Sequence, residues 1–181
     1  MSETTAFRVA DLPQNRATRF DLRPDSSERA ALAEAMGLSE LRKLRFAGEL
    51  RAMGKKDWEL VAEIGATVVQ PCVVTLDPVT TRIDQPVRLQ FIAGLAFDTS
   101  EEEVEMPEDD SSEPLGSHID VAEVMAEALA LYLPQYPRKD GAVLGESVHA
   151  EAGVTPMRDE DTRPFAGLAA LRDQLDGAAE D

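Results

Sequence analysis

The sequence predicts an α+β protein: an antiparallel sheet or partly closed β-barrel, with a central helix packed on it and short flanking helices. Apolar and polar residues alternate through most of residues 41–70, which is the period of half-buried strands. Between Ser117 and Ala142 apolar residues recur instead at helical spacing, so one face of a helix has to pack against something. A sheet that is apolar on only one side is typical of antiparallel pairing.

The chain opens with two short predicted strands and a helix. Phe7–Ala10 and Thr18–Leu22 have the composition of strands and are separated by a proline-containing turn. Ser26 or Ser27 is placed to cap the helix, which Gly37 ends.

A long hairpin over residues 41–70 is the centre of the predicted sheet. Its first strand alternates from Leu44 to Ala52, its turn is Gly54–Asp57, and its return strand alternates from Trp58 onward. Two more strands are predicted near 72–76 and 86–93, and the strand order is left open.

Basic residues cluster on this hairpin: Arg42, Lys43, Arg45, Arg51, Lys55 and Lys56. A solvated strand face with a charged tip explains them without any ligand, since edge strands need charge to resist pairing. The alternative is a local phosphate-binding patch for RNA.

The domain organisation follows from shifts in composition. Residues 1–142 are predicted to form a single α+β domain with a mobile acidic loop at 98–113, because that stretch repels itself and has little to bury. Residues 143–181 are predicted to be an irregular acidic segment with a short C-terminal helix. Pro164 lies in the first turn of that helix and Phe165 on its apolar stripe.

The central helix has clear ends. Asp120 is placed to cap it, and Pro134 stops it because proline lacks the amide. With Pro137, the exit is stiff and extended, and it presents Tyr136 beside the basic pair at 138–139. This is either a small aromatic and basic contact point or a simple turn with the tyrosine packed on the core.

Charge and hydropathy limit the classes of function. The net charge is −17, and residues 61–181 carry seven basic against twenty-five acidic side chains. This balance opposes non-specific binding to nucleic acid and favours basic partners. No apolar run is long enough to cross a bilayer and the N-terminus lacks the pattern of a signal peptide, so we expect a cytoplasmic protein that does not bind membranes.

No catalytic, cofactor or metal site is predicted. Cys72 is the only cysteine, which excludes an internal disulfide and a multi-thiolate metal site. A nucleophilic cysteine would need a base, and His118 and His149 both lie in or beside predicted loops. The motifs of phosphate-binding loops, metalloproteases and serine hydrolases are missing. We therefore expect no enzyme, no cofactor and no small-molecule substrate.

Three motifs follow one another in a defined order. Gln70–Pro78 follows the hairpin, Ile119–Glu123 opens a helix that ends in Leu-Pro-x-Tyr-Pro, and Pro164–Leu171 lies near the C-terminus. In this order they resemble the YceD family, the large ribosomal RNA subunit accumulation proteins, over about residues 40–175. The residues that carry the motifs are Cys72, Leu76, Asp77, Pro78, Asp120, Pro134, Pro137, Pro164 and Phe165.

This chain departs from that family at one position. Many members have Cys-x-x-Cys where this sequence has Cys72 and Thr75. A threonine hydroxyl is a poor ligand for zinc, so metal or thiol chemistry that the paired form would allow is not expected here. A single cysteine in a strand is more typical of a small buried hydrophobe.

The resemblance implies a non-catalytic factor that supports 23S ribosomal RNA accumulation in large-subunit assembly. Either the rRNA precursor or a basic ribosomal protein is its direct partner, and the charge balance favours the protein. The alternative is a general protein-protein interaction module without a ribosomal role. The candidate partner-binding residues are Arg45, Arg51, Lys55, Lys56, Tyr136, Arg138 and Lys139.

Overall fold

The computed structural model describes residues 5–95, 111–145, 150–151 and 153–155. The chain divides into two units, Met1–Ala142 and Val143–Asp181, and every helix and strand below belongs to the first. A five-stranded sheet, a two-stranded sheet and two α-helices confirm the α+β class. Within the described ranges no helix is both long enough and apolar enough to span a membrane.

The main sheet is built around the predicted hairpin. Its strands are β2 Thr18–Leu22, β3 Glu40–Met53, β4 Asp57–Pro71, β5 Pro78–Ile92 and β6 Ser112–Pro114. They lie in the order β2-β3-β4-β5-β6, and all neighbours are antiparallel except β5 and β6, which are parallel. The described residues form no closed barrel, since β2 and β6 are the two ends of the strand order.

The alternation of the hairpin separates a buried face from an exposed one. On β4, alternate residues from Trp58 to Val68 are buried, while Glu63 between them is exposed. Gly48 on β3 lies opposite Ala62, and a Cβ at Gly48 would collide with the Val61 carbonyl oxygen and the Ala62 Cβ. The glycine is therefore required by the close approach of β3 to β4.

The predicted strand at 72–76 is wrong, and the strand predicted at 86–93 starts much earlier. Pro71 and Pro78 lie opposite each other at the end of the β4–β5 ladder, so the residues between them form the connection. β-branched residues at 73–75 have the propensity of a strand, but the length of the ladder decides their conformation.

The N-terminal elements differ in their details. β1, Ala6–Arg8, pairs with β7, His118–Asp120, in the two-stranded sheet, and a 3-10 turn at Val9–Asp11 replaces the end of the predicted strand. The helix α1, Ser26–Ala35, is capped by Asp25 rather than by Ser26 or Ser27. Asp25 accepts the Glu28 backbone N–H at 2.9 Å while the Glu28 carboxylate accepts that of Asp25 at 2.7 Å, which is a capping box.

The central helix α2, Val121–Tyr132, begins at Asp120, whose Oδ1 accepts the Ala122 backbone N–H at 2.9 Å. It contacts β1, β4 and β5. Its buried residues join those of the sheet in one core cluster, and Val121 and Leu129 are fully buried there. Its predicted course across the middle of the apolar face stays a prediction.

Some expectations fall outside the described residues. Most of the predicted acidic loop at 98–113 lies there, although its last two residues, Ser112 and Glu113, belong to β6. The predicted C-terminal helix also lies outside the described residues, together with Pro164, Phe165 and His149.

Candidate functional site

The connection between β4 and β5 is a closed loop at residues 72–77. The Cys72 N–H donates to the Asp77 carbonyl at 2.7 Å, and the Leu76 N–H donates to the Cys72 carbonyl at 2.9 Å. Leu76 has a φ of +62°, which is a left-handed conformation that L-residues with a side chain rarely adopt. These bonds fold the loop back on itself between its two flanking prolines.

The Cys72 thiol lies at the centre of this loop. Its Sγ accepts backbone N–H groups from Val74 at 3.4 Å, Thr75 at 3.5 Å and Lys139 at 3.4 Å. Hydrogen bonds from Thr75 and then from the Lys139 backbone lower the pKa of the thiol from 9.0 to about 6, against the effect of burial. Cys72 is fully buried, in a turn rather than in the expected strand, so it connects backbone segments and does not meet solvent.

The exit from α2 at residues 134–139 is joined to this loop. The Val73 N–H donates to the Pro137 carbonyl at 2.9 Å, and the Gln70 side chain donates to the Pro134 carbonyl at 3.2 Å. Lys139 Nζ forms an ion pair with Asp77 Oδ2 at 3.0 Å. We call the loop at 72–77 and the exit at 134–139 together the two-loop site.

Large apolar side chains are exposed on the two-loop site. Leu76 is 77% exposed, Tyr136 75% and Val73 47%, although the core of the same domain is well packed. The expected packing of Tyr136 on the core is therefore wrong, while its role as a contact point stays a prediction. Arg138 is exposed beside it, whereas the charge of Lys139 is compensated by Asp77, whose pKa is lowered first by Lys139 and then by Thr75.

The two-loop site brings together residues that the sequence places in separate motifs. One motif contributes Cys72, Leu76 and Asp77. The end of the second motif and the predicted contact point contribute the exit from Pro134 to Lys139, where Lys139 contacts both Cys72 and Asp77. Pro78 follows the loop directly as the first residue of β5. Sequence reasoning missed Val73, whose N–H makes the link to Pro137, because the segment looked like a strand.

The arginines of the hairpin do not form a free cationic patch. Arg45 binds Asp21 with two hydrogen bonds of 2.8 and 3.0 Å, and Arg23 binds the same carboxylate. Arg45 and then Arg23 hold the pKa of Asp21 well below its usual range. Arg51 pairs with Glu49. Arg45 and Arg51, the two hairpin arginines predicted to contact a partner, are thus neutralised within their own sheet.

The tip of the hairpin is different. Lys55 and Lys56 are exposed, and in the part of the chain that the structure describes neither side chain forms an ion pair. The Lys55 carbonyl accepts the side chain of Gln14 at 3.1 Å, which holds the tip to the N-terminal region.

A group of three carboxylates lies where β6 meets α2. Burial, then Glu127 and then Glu123 raise the pKa of Glu113, so both of these carboxylates lie close enough to Glu113 to repel it. In the described ranges no lysine or arginine forms an ion pair with them. Negative charge is therefore left uncompensated on this side of the domain.

The arrangement offers little for catalysis or metal binding. Among the described residues no three His, Cys, Asp or Glu side chains are placed to hold a metal ion. The Thr75 hydroxyl donates to Asp77 at 3.1 Å. The His118 ring contacts the Ser117 hydroxyl at 3.0 Å, and no described hydrogen bond joins it to Cys72.

Comparison with known proteins identifies the family. No curated protein and no solved structure matches the chain. The family model described as "Large ribosomal RNA subunit accumulation protein YceD" matches residues 60–172, which include most of β4, all of β5, the two-loop site and α2. The match covers more than half of the chain, which therefore belongs to the YceD family.

Proposed function

We propose that this protein is a non-catalytic factor that supports the accumulation of 23S ribosomal RNA by binding a basic ribosomal protein during assembly of the large subunit. The family description supports the ribosomal role. The distribution of charge supports a protein rather than RNA as the direct partner.

The observation that carries this choice is the pairing of the arginines on the exposed face of the sheet. Each arginine there that was a candidate for RNA, Arg45 and Arg51, is already bound to a carboxylate of the same face. Arg19, Arg82 and Arg88 on that face are paired as well, with Glu49, Asp84 and Glu59. A phosphate would have to displace these carboxylates, so the face gains little from binding RNA.

Uncompensated negative charge lies elsewhere. Glu123 and Glu127 repel Glu113 beside β6, and Glu113 follows closely on the acidic stretch at 98–110 in the sequence. A lysine- or arginine-rich segment would relieve this repulsion, and salt or RNA could compete it away when the cargo is delivered.

The test is affinity capture from lysate at low salt, with and without RNase. Because Ser112 and Glu113 belong to β6, the matched variant keeps the chain length and changes the eight Asp and Glu residues of 98–110 to Asn and Gln. We expect large-subunit proteins to be captured by the wild type after RNase and to be lost with the amide variant. Capture that depends on RNA and is unaffected by the variant would contradict the proposal and direct attention to Lys55, Lys56, Tyr136 and Arg138.

A second candidate is a protein-interaction module without a ribosomal role. The exposed Val73, Leu76 and Tyr136 of the two-loop site favour it, because exposed aromatic and aliphatic side chains in one place are typical of a protein contact. Co-sedimentation with large-subunit precursors that is lost at moderate salt supports the ribosomal role. A salt-resistant complex with a non-ribosomal protein supports the module.

A further inference from the structure

Among the described residues, one long side of β5 has no strand beside it except the short β6 at its end. The strand runs from Pro78 to Ile92, but β6 pairs only with Gln90–Ile92. On the same side, no other described strand pairs with the rest of β5. The free part is therefore an exposed sheet edge, which is the usual template for an added strand.

The register shows which backbone groups face outward. Pro71 and Pro78 lie opposite each other, and two prolines cannot exchange N–H groups, so this is a non-hydrogen-bonded pair. Hydrogen-bonded and non-bonded pairs alternate along an antiparallel ladder. The even-numbered residues of β5 therefore direct their N–H and C=O groups away from β4.

Three contacts agree with this assignment. Pro86 has no N–H, and its carbonyl accepts the Tyr132 hydroxyl at 3.1 Å. The Gln90 N–H donates to the Ser111 carbonyl at 2.7 Å, and the Ile92 carbonyl accepts the Leu115 N–H at 3.0 Å. All three even-numbered residues thus use their outward groups on parts of the chain other than β4.

Between Pro78 and Pro86, the remaining even-numbered residues of β5 are Thr80, Arg82 and Asp84. Their side chains are exposed, and in the described part of the chain no hydrogen bond outside the β4–β5 pair reaches their backbone groups. Between them, Thr81 is half-buried and Ile83 is buried. The edge thus offers outward-facing N–H and C=O groups in a regular row, beside the core face of the sheet on which Ile83 is buried.

We propose that the edge of β5 at Thr80–Asp84 binds an extended segment of a basic partner protein as a sixth strand of the main sheet. Outward backbone groups at alternate residues recognise another backbone in extended conformation, and side chains at alternate positions of the partner add specificity. The partner should place apolar residues beside Thr81 and Ile83 and polar residues beside Arg82. That this partner is a ribosomal protein rests on the proposed function.

Charge decides between a basic partner and a second copy of this chain. Each copy carries a net charge of −17, so two copies repel while a basic segment is attracted. A twofold pairing of two β5 edges centred on Arg82 would also place the two Arg82 side chains opposite each other, which destabilises a strand pair. The edge therefore suits a basic segment better than itself.

The test compares Thr80→Pro with Thr80→Ala in the full chain. Proline at this position removes the outward N–H but no hydrogen bond to β4, and Pro78 and Pro86 already occupy equivalent positions in the ladder. The probe is the total protein of salt-washed large ribosomal subunits, freed of RNA. We expect Thr80→Pro to weaken capture about tenfold and Thr80→Ala to leave it unchanged. Thermal unfolding checks that both variants fold.

Amide hydrogen exchange gives a second readout. The amides of Thr80, Arg82 and Asp84 should exchange fast in the free protein and slowly in the complex, while those of Thr81 and Ile83 exchange slowly in both. Slow exchange at all five in the free protein would mean that this chain covers its own edge and would overturn the proposal.

Three binding results would also overturn it. These are equal capture by the wild type and Thr80→Pro, no capture by the wild type, and a self-association that Thr80→Pro abolishes. The proposed function is judged separately, by the level of 23S ribosomal RNA in cells that lack the protein. If the wild type and Thr80→Pro capture equally while the cells have lowered 23S ribosomal RNA, the proposed strand binding at the β5 edge is rejected and the proposed function stands.

Discussion

Val73→Pro tests whether the loop at 72–77 and the exit at 134–139 act as one unit. The substitution removes the N–H that donates to the Pro137 carbonyl at 2.9 Å. Pro137 is buried, so its carbonyl loses its partner in a place that water does not reach easily. Leaving such a group unpaired costs about 1–3 kcal/mol, and we expect the free energy of unfolding in urea to fall by this amount.

Val73→Ala is the matched control. It keeps the N–H and shortens a side chain that is 47% exposed, so its cost should stay below about 0.5 kcal/mol. Proline is favoured at the second position of a turn, where Val73 stands after Cys72, so the backbone conformation should tolerate it. The difference between the two variants then measures the lost hydrogen bond.

A local readout separates this mechanism from general destabilisation. The Lys139 N–H donates to the Cys72 Sγ, so it should exchange faster in Val73→Pro and remain unchanged in Val73→Ala. Equal free energies of unfolding for the two variants, with unchanged exchange at Lys139, would refute the coupling of the two segments.

Two further outcomes concern the sheet and the thiol. Gly48→Ala should destabilise the protein by about 1–3 kcal/mol in urea unfolding, because its Cβ meets Val61 and Ala62, and an unchanged midpoint would contradict the close approach of the strands. Cys72→Ser should lose a pH dependence that the wild type has. The folded pKa of Cys72 is about 6 and the unfolded one 9.0, so the unfolded chain binds more protons between these values and wild-type stability rises with pH there. The stabilisation by the Cys72 thiolate is complete above pH 9.0 and is lost as the pH falls to about 6. Parallel plots of unfolding free energy against pH for the wild type and Cys72→Ser would contradict it.

The hairpin could be predicted from sequence because its period of two extends over many residues. Trp58, Leu60 and Ile64 lie at alternate positions of this pattern and are all buried. Local patterns could not reveal where a ladder ends, so the turn at 72–77 looked like a strand. The flanking Pro71 and Pro78 were the available signal for the turn, since proline cannot donate a hydrogen bond within a strand ladder.

The candidate site was predictable in its parts and not in its assembly. Exposure of Tyr136 was one of the two alternatives left open for the exit, and the side chain is exposed. The contact of Lys139 with Cys72 and Asp77 joins residues more than sixty positions apart in the sequence, and no short-range pattern reports such a contact. The pairing of Arg45 with Asp21 is non-local in the same way, which is why the hairpin looked more basic than it is.

The small sheet of β1 and β7 has a consequence for synthesis. Ala6 pairs with Asp120, so the first strand made has to wait for a partner that is translated more than one hundred residues later. At ordinary rates of translation this takes on the order of ten seconds, during which β1 has no strand to pair with. The pairing also contributes high contact order, which slows folding. The start of α2 is thus where the nascent domain closes, with the Val121 N–H bound to the Thr5 carbonyl at 3.0 Å.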